Sequence, residues 1–339
     1  MTWIVRPARA SDIDALYELA MMTGGGFTNL PQNREALERR LAWSSESYAK
    51  PLQAPDDELY MLFLEEAETG RVGGTACLFS RVGTQFPFYS YKLGSISQTS
   101  RELKRTFTSQ VLYLVNDYDG SSEVGGLFLH PELRTGGLGR LLARARYLFI
   151  AQHRARFAER VLAELRGWLA ADGGSPFWDG LGAKFFGMPF QEADRFNALH
   201  GNQFIADLMP KHPIYVSMLP DEARAVIGRP HDSGVPAQKL LEAEGFAHSG
   251  YVDIFDGGPT LDCRTDQIRT VRDSRVGRVT TVAASPDGLP RALCAAGELA
   301  DFRAWFGHLG GDDAGLTVPA AEAAATRLEP GCEVRHVVL

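Results

Sequence analysis

Short apolar runs and amphipathic stretches alternate through the first eighty residues of the chain. Trp3–Val5 is a β-prone run, and apolar residues at helical spacing follow it between positions 13 and 20. The runs Tyr60–Leu64 and Val72–Phe79 are separated by a short glycine-containing turn, as in a β-hairpin. This pattern predicts a fold that mixes strands and helices.

The next group of elements surrounds a glycine-rich segment. Val111–Val115 and Gly126–Leu129 are predicted strands, and the Asp-Gly turn signal at positions 119–120 predicts that they pair with each other. Gly126–Leu129 leads into Arg134–Gly139 (RTGGLG), and an amphipathic helix is predicted from Leu138 onward. Strand, glycine loop and helix therefore follow one another directly.

The later part of the chain continues to mix the two types of element. We predict a strand at Val161–Leu165, a helix that begins at Pro176, a helix from Pro236 to Gly245 and a strand at Tyr251–Phe255. From about Cys263 onward, short β-prone pieces accompany an alanine-rich helical segment. This tail is expected to form a small appended subdomain.

Composition and charge narrow the classes of partner. The 339 residues include 35 Lys and Arg against 42 Asp and Glu, a formal net charge of −7. This acidic balance disfavours nucleic acid and anionic membranes, and it is compatible with a small cationic substrate. The four cysteines are far apart, and no apolar run is long enough to span a bilayer or to act as a signal peptide. We therefore expect a soluble protein of the reducing cytoplasm.

The segment Arg134–Gly139 has the pattern R-x-x-G-x-G at a strand-to-helix junction. Glycines let the backbone approach a ligand closely, and a helix N-terminus presents N–H groups with positive potential. This geometry suits a pyrophosphate, with Arg134 and Arg140 available for charge-assisted hydrogen bonds. The alternative is a glycine turn that only permits tight packing. The P-loop and dinucleotide fingerprints do not occur in the sequence.

The loop and its flanking elements resemble motif A of the GCN5-related N-acetyltransferase (GNAT) superfamily, whose loop binds the pyrophosphate of coenzyme A. A more specific resemblance is to the arginine N-succinyltransferase family. It covers most of the chain up to about Cys263 and is weaker in the tail. The segments that carry it are Met21–Pro31, Gly120–Glu123, Ser175–Trp178, Leu208–Tyr215 and Asp253–Leu261.

The resemblance implies an α/β (α+β) fold with a GNAT-like mixed central sheet flanked by helices. It also implies duplicated GNAT-related halves and a small C-terminal subdomain. The expected domains are an acyl-CoA-binding domain at 1–190, a second half at 191–262 that completes the active site, and the C-terminal subdomain at 263–339.

Membership of this family implies transfer of a succinyl group from succinyl-CoA to the α-amino group of L-arginine, the first step of arginine catabolism by the succinyltransferase route. No cysteine lies in a nucleophile context, so direct attack of the amine on the thioester is expected. No metal is expected, because the histidines are scattered and neither H-E-x-x-H nor paired cysteines occur.

Two alternatives to this function stay open at the level of sequence. One is an acyltransferase for another amine such as ornithine. The other is a regulatory or partner subunit of a heteromeric acyltransferase. The family also implies assembly, either as a homo-oligomer or as a hetero-oligomer with a related subunit.

Histidine is the first candidate for the proton transfer that an attacking amine requires. His231 lies in a Gly/Pro-rich loop and matches the catalytic histidine proposed for the family. Without that match, it would be interpreted as a solvated loop residue. His212, which stands between Lys211 and Pro213, is the second candidate, and its alternative is a rigid turn needed for folding.

The acyl-CoA contacts are expected on the strand and loop of motif A. Leu127 matches the position at which the family binds the acyl-CoA, and its backbone atoms are the expected contacts. The other expected cofactor-binding residues are Arg134, Gly136, Gly137, Leu138 and Gly139.

Carboxylates are the candidates for the amine substrate. A guanidinium is bound best by a bidentate carboxylate, for which Asp253 and Asp256 are proposed, with a plain turn as the alternative. Glu123 is either a base that acts through water, as in other GNAT enzymes, or a charged residue at a strand end. Together with His212, these three carboxylates form the predicted set of substrate-binding residues.

Overall fold

Strands and short helices alternate along the chain in the computed structural model, which describes residues 2–23, 29–312 and 315–339. The strands are β1 (Trp3–Pro7), β2 (Leu59–Glu66), β3 (Val72–Phe79), β4 (Ser90–Ser100), β5 (Arg105–Val115), β6 (Ser122–Leu129), β7 (Arg160–Glu164), β8 (Ile214–Tyr215), β9 (Ala247–Val252), β10 (Pro259–Arg264), β11 (Arg275–Ala283), β12 (Arg291–Ala296), β13 (Arg303–His308), β14 (Gly310–Asp312), β15 (Gly315–Pro319) and β16 (Glu333–Val338). The helices are α1 (Ile13–Met21), α2 (Arg34–Ala49), α3 (Leu138–Gln152), α4 (Pro176–Gly180), α5 (Ala183–Phe186), α6 (Phe190–His200), α7 (Gln203–Leu208), α8 (Asp221–Val226), α9 (Val235–Ala243), α10 (Arg269–Asp273) and α11 (Ala320–Thr326). Within the described ranges, no helix is both long and apolar enough to cross a membrane.

The chain divides into two compact units, and each collects separate stretches of sequence. The first unit contains Met1–Arg81, Ser122–Glu159 and Arg264–Leu339, and the second contains Val82–Ser121 and Arg160–Cys263. The sequence predicts three consecutive domains, with boundaries at 190/191 and 262/263. These domain boundaries stay a prediction.

The strands of the first unit follow the order β14-β15-β11-β16-β12-β13-β1-β2-β3-β6. Strand β1 lies between β2 and β13 and is antiparallel to both. Adjacent strands are antiparallel throughout this unit except for the parallel pair β11 and β15. The C-terminal strands therefore extend the same sheet that the N-terminal strand begins.

Helix α2 of the first unit is polar in sequence but is fixed to β2 by two buried serines. The Oγ atoms of Ser44 and Ser47 accept hydrogen bonds from the N–H groups of Met61 and Leu59, at 3.0 and 3.1 Å. Buried polar groups need such partners. The fully buried Leu37 completes the packing of this helix in a cluster with β2.

The strands of the second unit follow the order β7-β10-β9-β4-β5-β8. Its core is centred on Trp178, whose ring stacks on Phe186 and on Phe255 with centroid distances of 5.5 and 5.6 Å. Helix α4, which carries this tryptophan, begins as predicted at Pro176, where the Ser175 hydroxyl accepts the Trp178 N–H at 3.1 Å. Proline at the first helical position and serine as the cap explain this start.

Two predictions about strands are wrong. Val111–Val115 belongs to β5, which pairs with β4 and β8, whereas Gly126–Leu129 belongs to β6, which pairs with β3. The predicted strand at Tyr251–Phe255 ends at Val252. It ends there because the Asp253 carboxylate accepts two backbone N–H groups of the following residues and turns the chain.

Candidate functional site

Strand β6 carries a β-bulge at Gly126 and Leu127. Thr75 pairs with Phe128 and Cys77 with Gly125, so two residues of β6 oppose one residue of β3. Gly126 has φ of +55°, and a Cβ placed on it would lie 2.7 Å from the Cys77 sulfur, so glycine is required there. A bulge locally interrupts the ladder, and here the interruption lies at Gly126 and Leu127.

The glycine loop follows β6 and leads into α3. Gly136 and Gly137 have φ of +69° and +85°, and Gly137 directly precedes α3, which begins at Leu138. A Cβ placed on Gly136 would meet no protein atom within 4 Å. The outer face of the loop is therefore open to a ligand.

The N-terminus of α3 presents its first amides without a cap from the described side chains. Leu138, Gly139 and Arg140 occupy the first turn, where N–H groups have no intrahelical acceptor. Arg134 folds back over β6: its guanidinium lies 5.6 Å from the Phe128 ring centroid, and its Nε donates to the Leu129 carbonyl at 3.3 Å. The exposed amides and the helix dipole together form the kind of site that holds a phosphate.

Glu123 lies at the start of β6 and is buried. Its Oε1 accepts a hydrogen bond from Asn29 Nδ2 at 3.0 Å. Burial raises the pKa of Glu123, while the Asn29 hydrogen bond and the charge of Arg40 act in the opposite direction. A carboxyl group with a raised pKa is better suited to general acid–base work near neutral pH than an ordinary glutamate.

His231 lies in the second unit, where its backbone is fixed to the segment after β7. The His231 N–H donates to the Arg166 carbonyl at 2.8 Å, and the Trp168 N–H donates to the Arg229 carbonyl at 3.1 Å. Gly167 and Pro230 form an antiparallel bridge between these two bonds. The loop that carries the histidine is therefore held by a short ladder.

The ring of His231 is oriented through Nδ1. This nitrogen lies 2.7 Å from Ser233 Oγ and accepts the Ser233 N–H at 3.2 Å. In the neutral ring the proton is therefore assigned to Nε2. Burial lowers the pKa of His231, the charge of Arg166 lowers it further, and Asp232 raises it. A lowered pKa favours the neutral form of the His231 ring.

Asp253 and Asp256 form a carboxyl pair whose oxygens already bind the backbone. Asp256 accepts the Gly167 N–H on one oxygen at 2.7 Å and the Gly258 N–H on the other at 2.8 Å. Asp253 Oδ1 accepts the N–H groups of Phe255 and Asp256. Burial and the neighbouring Asp253 raise the pKa of Asp256 well above its usual range, and burial raises that of Asp253.

Two charged residues that the sequence analysis missed belong to the same neighbourhood. Burial lowers the pKa of Arg166, and its Nε is buried without a hydrogen-bond partner among the described residues. Asp194 on α6 has a pKa that is raised by burial and by Asp253 and is lowered by Arg166. Arg166, Asp194 and His231 are far apart in sequence and form no recognisable motif. Their proximity could therefore not be predicted from the sequence.

His212 is exposed beside the edge strand β8. The neighbouring Lys211 folds back and donates from Nζ to the Ala206 carbonyl. In the part of the chain that the structure describes, no hydrogen bond or ion pair joins His212 to His231 or to the carboxyl pair. Its role as a substrate contact stays a prediction.

A bulged strand, an open glycine loop and an uncapped helix N-terminus, in this order and on a mixed sheet, define an acyl-CoA-dependent N-acyltransferase of GNAT-like fold. The family model for the arginine N-succinyltransferase beta subunit matches residues 3–270, and the model for the C-terminal domain of that subunit matches residues 275–337. The chain belongs to the arginine N-succinyltransferase family.

Individual relatives match the chain over its whole length. The arginine N-succinyltransferase of Salmonella schwarzengrund is 41% identical over 336 residues, which are 99% of this chain and 97% of the relative. The solved structure of the arginine/ornithine succinyltransferase subunit AI from Pseudomonas aeruginosa superposes with a TM-score of 0.90 and 32% identity, covering 99% of this chain and 98% of that one. The family and the GNAT-like α/β fold inferred from the sequence are thereby confirmed.

One of the segments that carried the resemblance is only partly visible. Met21–Pro31 includes Gly24–Thr28, which lie outside the described residues. The tail, where the resemblance in sequence is weaker, is matched by the C-terminal domain model of the family.

Proposed function

We propose that this chain transfers the succinyl group of succinyl-CoA to the α-amino group of L-arginine and releases N2-succinyl-L-arginine and CoA. The observation that supports this most directly is the open loop at Gly136 and Gly137 before the uncapped N-terminus of α3. It occurs in a chain that matches arginine N-succinyltransferases from end to end.

The acyl donor is assigned to the first unit. The amides of Leu138, Gly139 and Arg140 hold the pyrophosphate, since their N–H groups have no intrahelical acceptor. The bulge at Leu127 offers a backbone N–H and a carbonyl to the amide groups of the pantetheine arm. Arg134 supplies positive charge beside the loop.

Proton transfer is assigned to His231. The amine nitrogen attacks the thioester carbonyl carbon, the C–S bond breaks, and one amine proton moves to the departing sulfur. His231 is suited to carry this proton because burial and Arg166 lower the pKa of its ring, which favours the neutral form that accepts a proton. When Nε2 accepts the proton, Nδ1–H donates to Ser233 Oγ, which lies 2.7 Å away. Glu123 is proposed as the second base, acting through water.

The charged groups of the substrates are assigned to the second unit. Asp194 receives the arginine guanidinium together with Asp253 and Asp256, and Asp194 has the larger share because backbone N–H groups occupy the oxygens of Asp256. Arg166 receives the succinyl carboxylate, because its buried Nε has no partner among the described residues. Without a carboxylate, that buried donor would remain desolvated and unpaired.

We place this activity in the reducing cytoplasm, where the four cysteines, all present as thiols, stay reduced. The relatives are described as a beta subunit and as subunit AI, so assembly with a second copy or with a related subunit is part of the proposal.

The test is thiol release by the purified chain with succinyl-CoA and L-arginine, compared with mixtures that lack one of the two substrates. Release that requires both substrates, with N2-succinyl-L-arginine identified by mass, is the expected result. Faster release with ornithine than with arginine would reassign the amine substrate. If calorimetry shows that CoA binds but no release occurs with any amine, the chain is a partner subunit rather than a catalytic one.

A further inference from the structure

The first unit also contains a concave region that shares no residue with β6 or the glycine loop. It is a cavity of about 690 Å³. Its walls are β1 and the residues that follow it, the last turn of α2, the segment that leads into β13 and the C-terminal end of α11. A volume of this size is typical of sites for small molecules. Four arginines line it, namely Arg6, Arg9, Arg303 and Arg327.

Two of these arginines are already engaged by carboxylates. Arg6 donates from both terminal nitrogens to Asp12, at 2.8 and 2.9 Å, and from Nε to Glu65 at 2.6 Å. Arg9 approaches the same Glu65 carboxylate at 3.8 Å. The positive charges of Arg6 and Arg9 are therefore balanced by the carboxylates of Asp12 and Glu65.

The other two arginines are not balanced in this way. The Nε of Arg303 is buried and has no hydrogen-bond partner in the described part of the chain. Burial lowers the pKa of Arg303 and the charge of Arg327 lowers it further, against opposite contributions from Asp301 and Cys332. Arg303 and Arg327 thus place two guanidinium groups on the same cavity, and each lowers the stability of the other's charge. An anion bound between them would offset this concentration of positive charge.

The backbone at Arg327 points to the same ligand chemistry. Arg327 follows the last residue of α11 and has φ of +55°, the left-handed conformation that glycine adopts most readily at the C-terminus of a helix. Its N–H donates to the Ala324 carbonyl and the Leu328 N–H to the Ala323 carbonyl, so the helix end is regular. Arginine is less stable than glycine in this backbone conformation. Its presence here places a guanidinium group on the lining of the cavity.

We propose that this cavity binds a small aliphatic dicarboxylate. One carboxylate accepts a forked pair of hydrogen bonds from Arg303 and the other pairs with Arg327, because a planar guanidinium matches a carboxylate in two-point contact. The lining also contains the carboxylates of Glu65 and Asp301, and the exposed methyl groups of Ala300 and Ala324 are available to contact a short methylene chain. The site is independent of the proposed acyl transfer.

The test is calorimetric titration of the full chain with glutarate, a dicarboxylate chosen because succinate also resembles the acyl donor. Glutarate should bind with Kd at or below about 1 mM, with the same affinity in the presence and absence of saturating CoA. Arg327→Gly should weaken this binding by on the order of tenfold or more. The thermal midpoint of Arg327→Gly should stay equal or rise, because glycine suits the left-handed backbone.

The matched control is Arg278→Ala, which removes an exposed arginine of the same unit that pairs with Glu333 and does not line the cavity. It should bind glutarate like the original chain. Absence of glutarate binding, loss of binding in the presence of CoA, or equal binding by Arg327→Gly would each overturn the proposal. Acetate and inorganic phosphate are the comparison ligands, and tighter binding of phosphate would overturn the dicarboxylate assignment.

Discussion

His231 and Ser233 hold each other through one ring nitrogen: Nδ1 lies 2.7 Å from Ser233 Oγ and 3.2 Å from the Ser233 backbone nitrogen. A ring held at Nδ1 presents Nε2 in a fixed direction. The backbone N–H sets the neutral tautomer, and the hydroxyl accepts the Nδ1 proton when the ring is charged. Ser233 is therefore a positioning residue for His231.

The first prediction concerns these two side chains. Replacing His231 with Ala should lower kcat by roughly 10²- to 10⁴-fold and leave the KM for succinyl-CoA nearly unchanged, because only proton transfer is lost. Ser233→Ala should lower kcat by a smaller factor, since the backbone N–H remains. Steady-state thiol release measures both effects. Lys239→Ala, at an exposed position of α9, is the control, and an unchanged kcat in His231→Ala would remove this histidine from the reaction.

The second prediction concerns pH. His231 must be neutral to accept a proton, so kcat/KM should rise with pH through its pKa, which burial and Arg166 hold below the ordinary value. Asp232 raises that pKa, so Asp232→Asn should move the rising limb to lower pH. The profile should be recorded at low ionic strength, because an exposed charge is screened by salt. Asp221→Asn should leave the limb in place, and a shift to higher pH in Asp232→Asn would contradict the assignment.

The third prediction separates backbone strain from loss of ligand binding at the glycine loop. Gly136 and Gly70 both have left-handed φ, and a Cβ on either would meet no protein atom within 4 Å. Alanine at either position should therefore cost a similar amount of stability, about 1 kcal/mol. Only Gly136→Ala should raise the KM for succinyl-CoA, by about tenfold, which corresponds to about 1.4 kcal/mol of lost binding. Equal KM values for the two variants would show that the loop does not hold the acyl donor.

The fourth prediction distinguishes a substrate carboxylate from a structural one. Asp256→Asn places an amide N–H₂ against one of two backbone donors and should lower the free energy of unfolding by about 1–3 kcal/mol, visible as a lower thermal midpoint. Asp194→Asn should leave the thermal midpoint unchanged and raise the KM for arginine by about tenfold. If Asp194→Asn keeps the original KM while Asp253→Asn raises it, the guanidinium belongs to the carboxyl pair that the sequence pattern suggested.

Local signals in the sequence are sufficient to predict the strand and the helix on either side of the glycine loop. The run from β6 through the glycines into α3 is continuous in the chain, so its apolar pattern and its glycine loop could be recognised without knowledge of the partner strands. The same holds for the start of α4, where Ser175 and Pro176 form the cap themselves. Such predictions depend only on neighbours within a few residues.

Pairing and clustering over long distances could not be predicted in this way. Strand β4 is rich in Ser, Gln and Thr and lacks an apolar alternation, because much of it is exposed. A strand without an apolar pattern gives no signal that it pairs with β5, so the sequence favours pairing of β5 with the next apolar strand, β6. Arg166 and Asp194 were missed for a related reason, since they lie far from His231 in sequence and only the tertiary fold brings their charges together.

The position of β1 has a consequence for the order in which the protein matures. Its two neighbours are a strand made early, β2, and one made more than two hundred residues later, β13, with Ile4 opposite Trp305. Until β13 has been synthesised, one side of this first strand lacks its partner and exposes unpaired backbone N–H and C=O groups. The sheet can therefore close on this side of β1 only after residues 303–308 have been synthesised, and truncation before residue 303 should leave an unpaired strand edge that promotes aggregation.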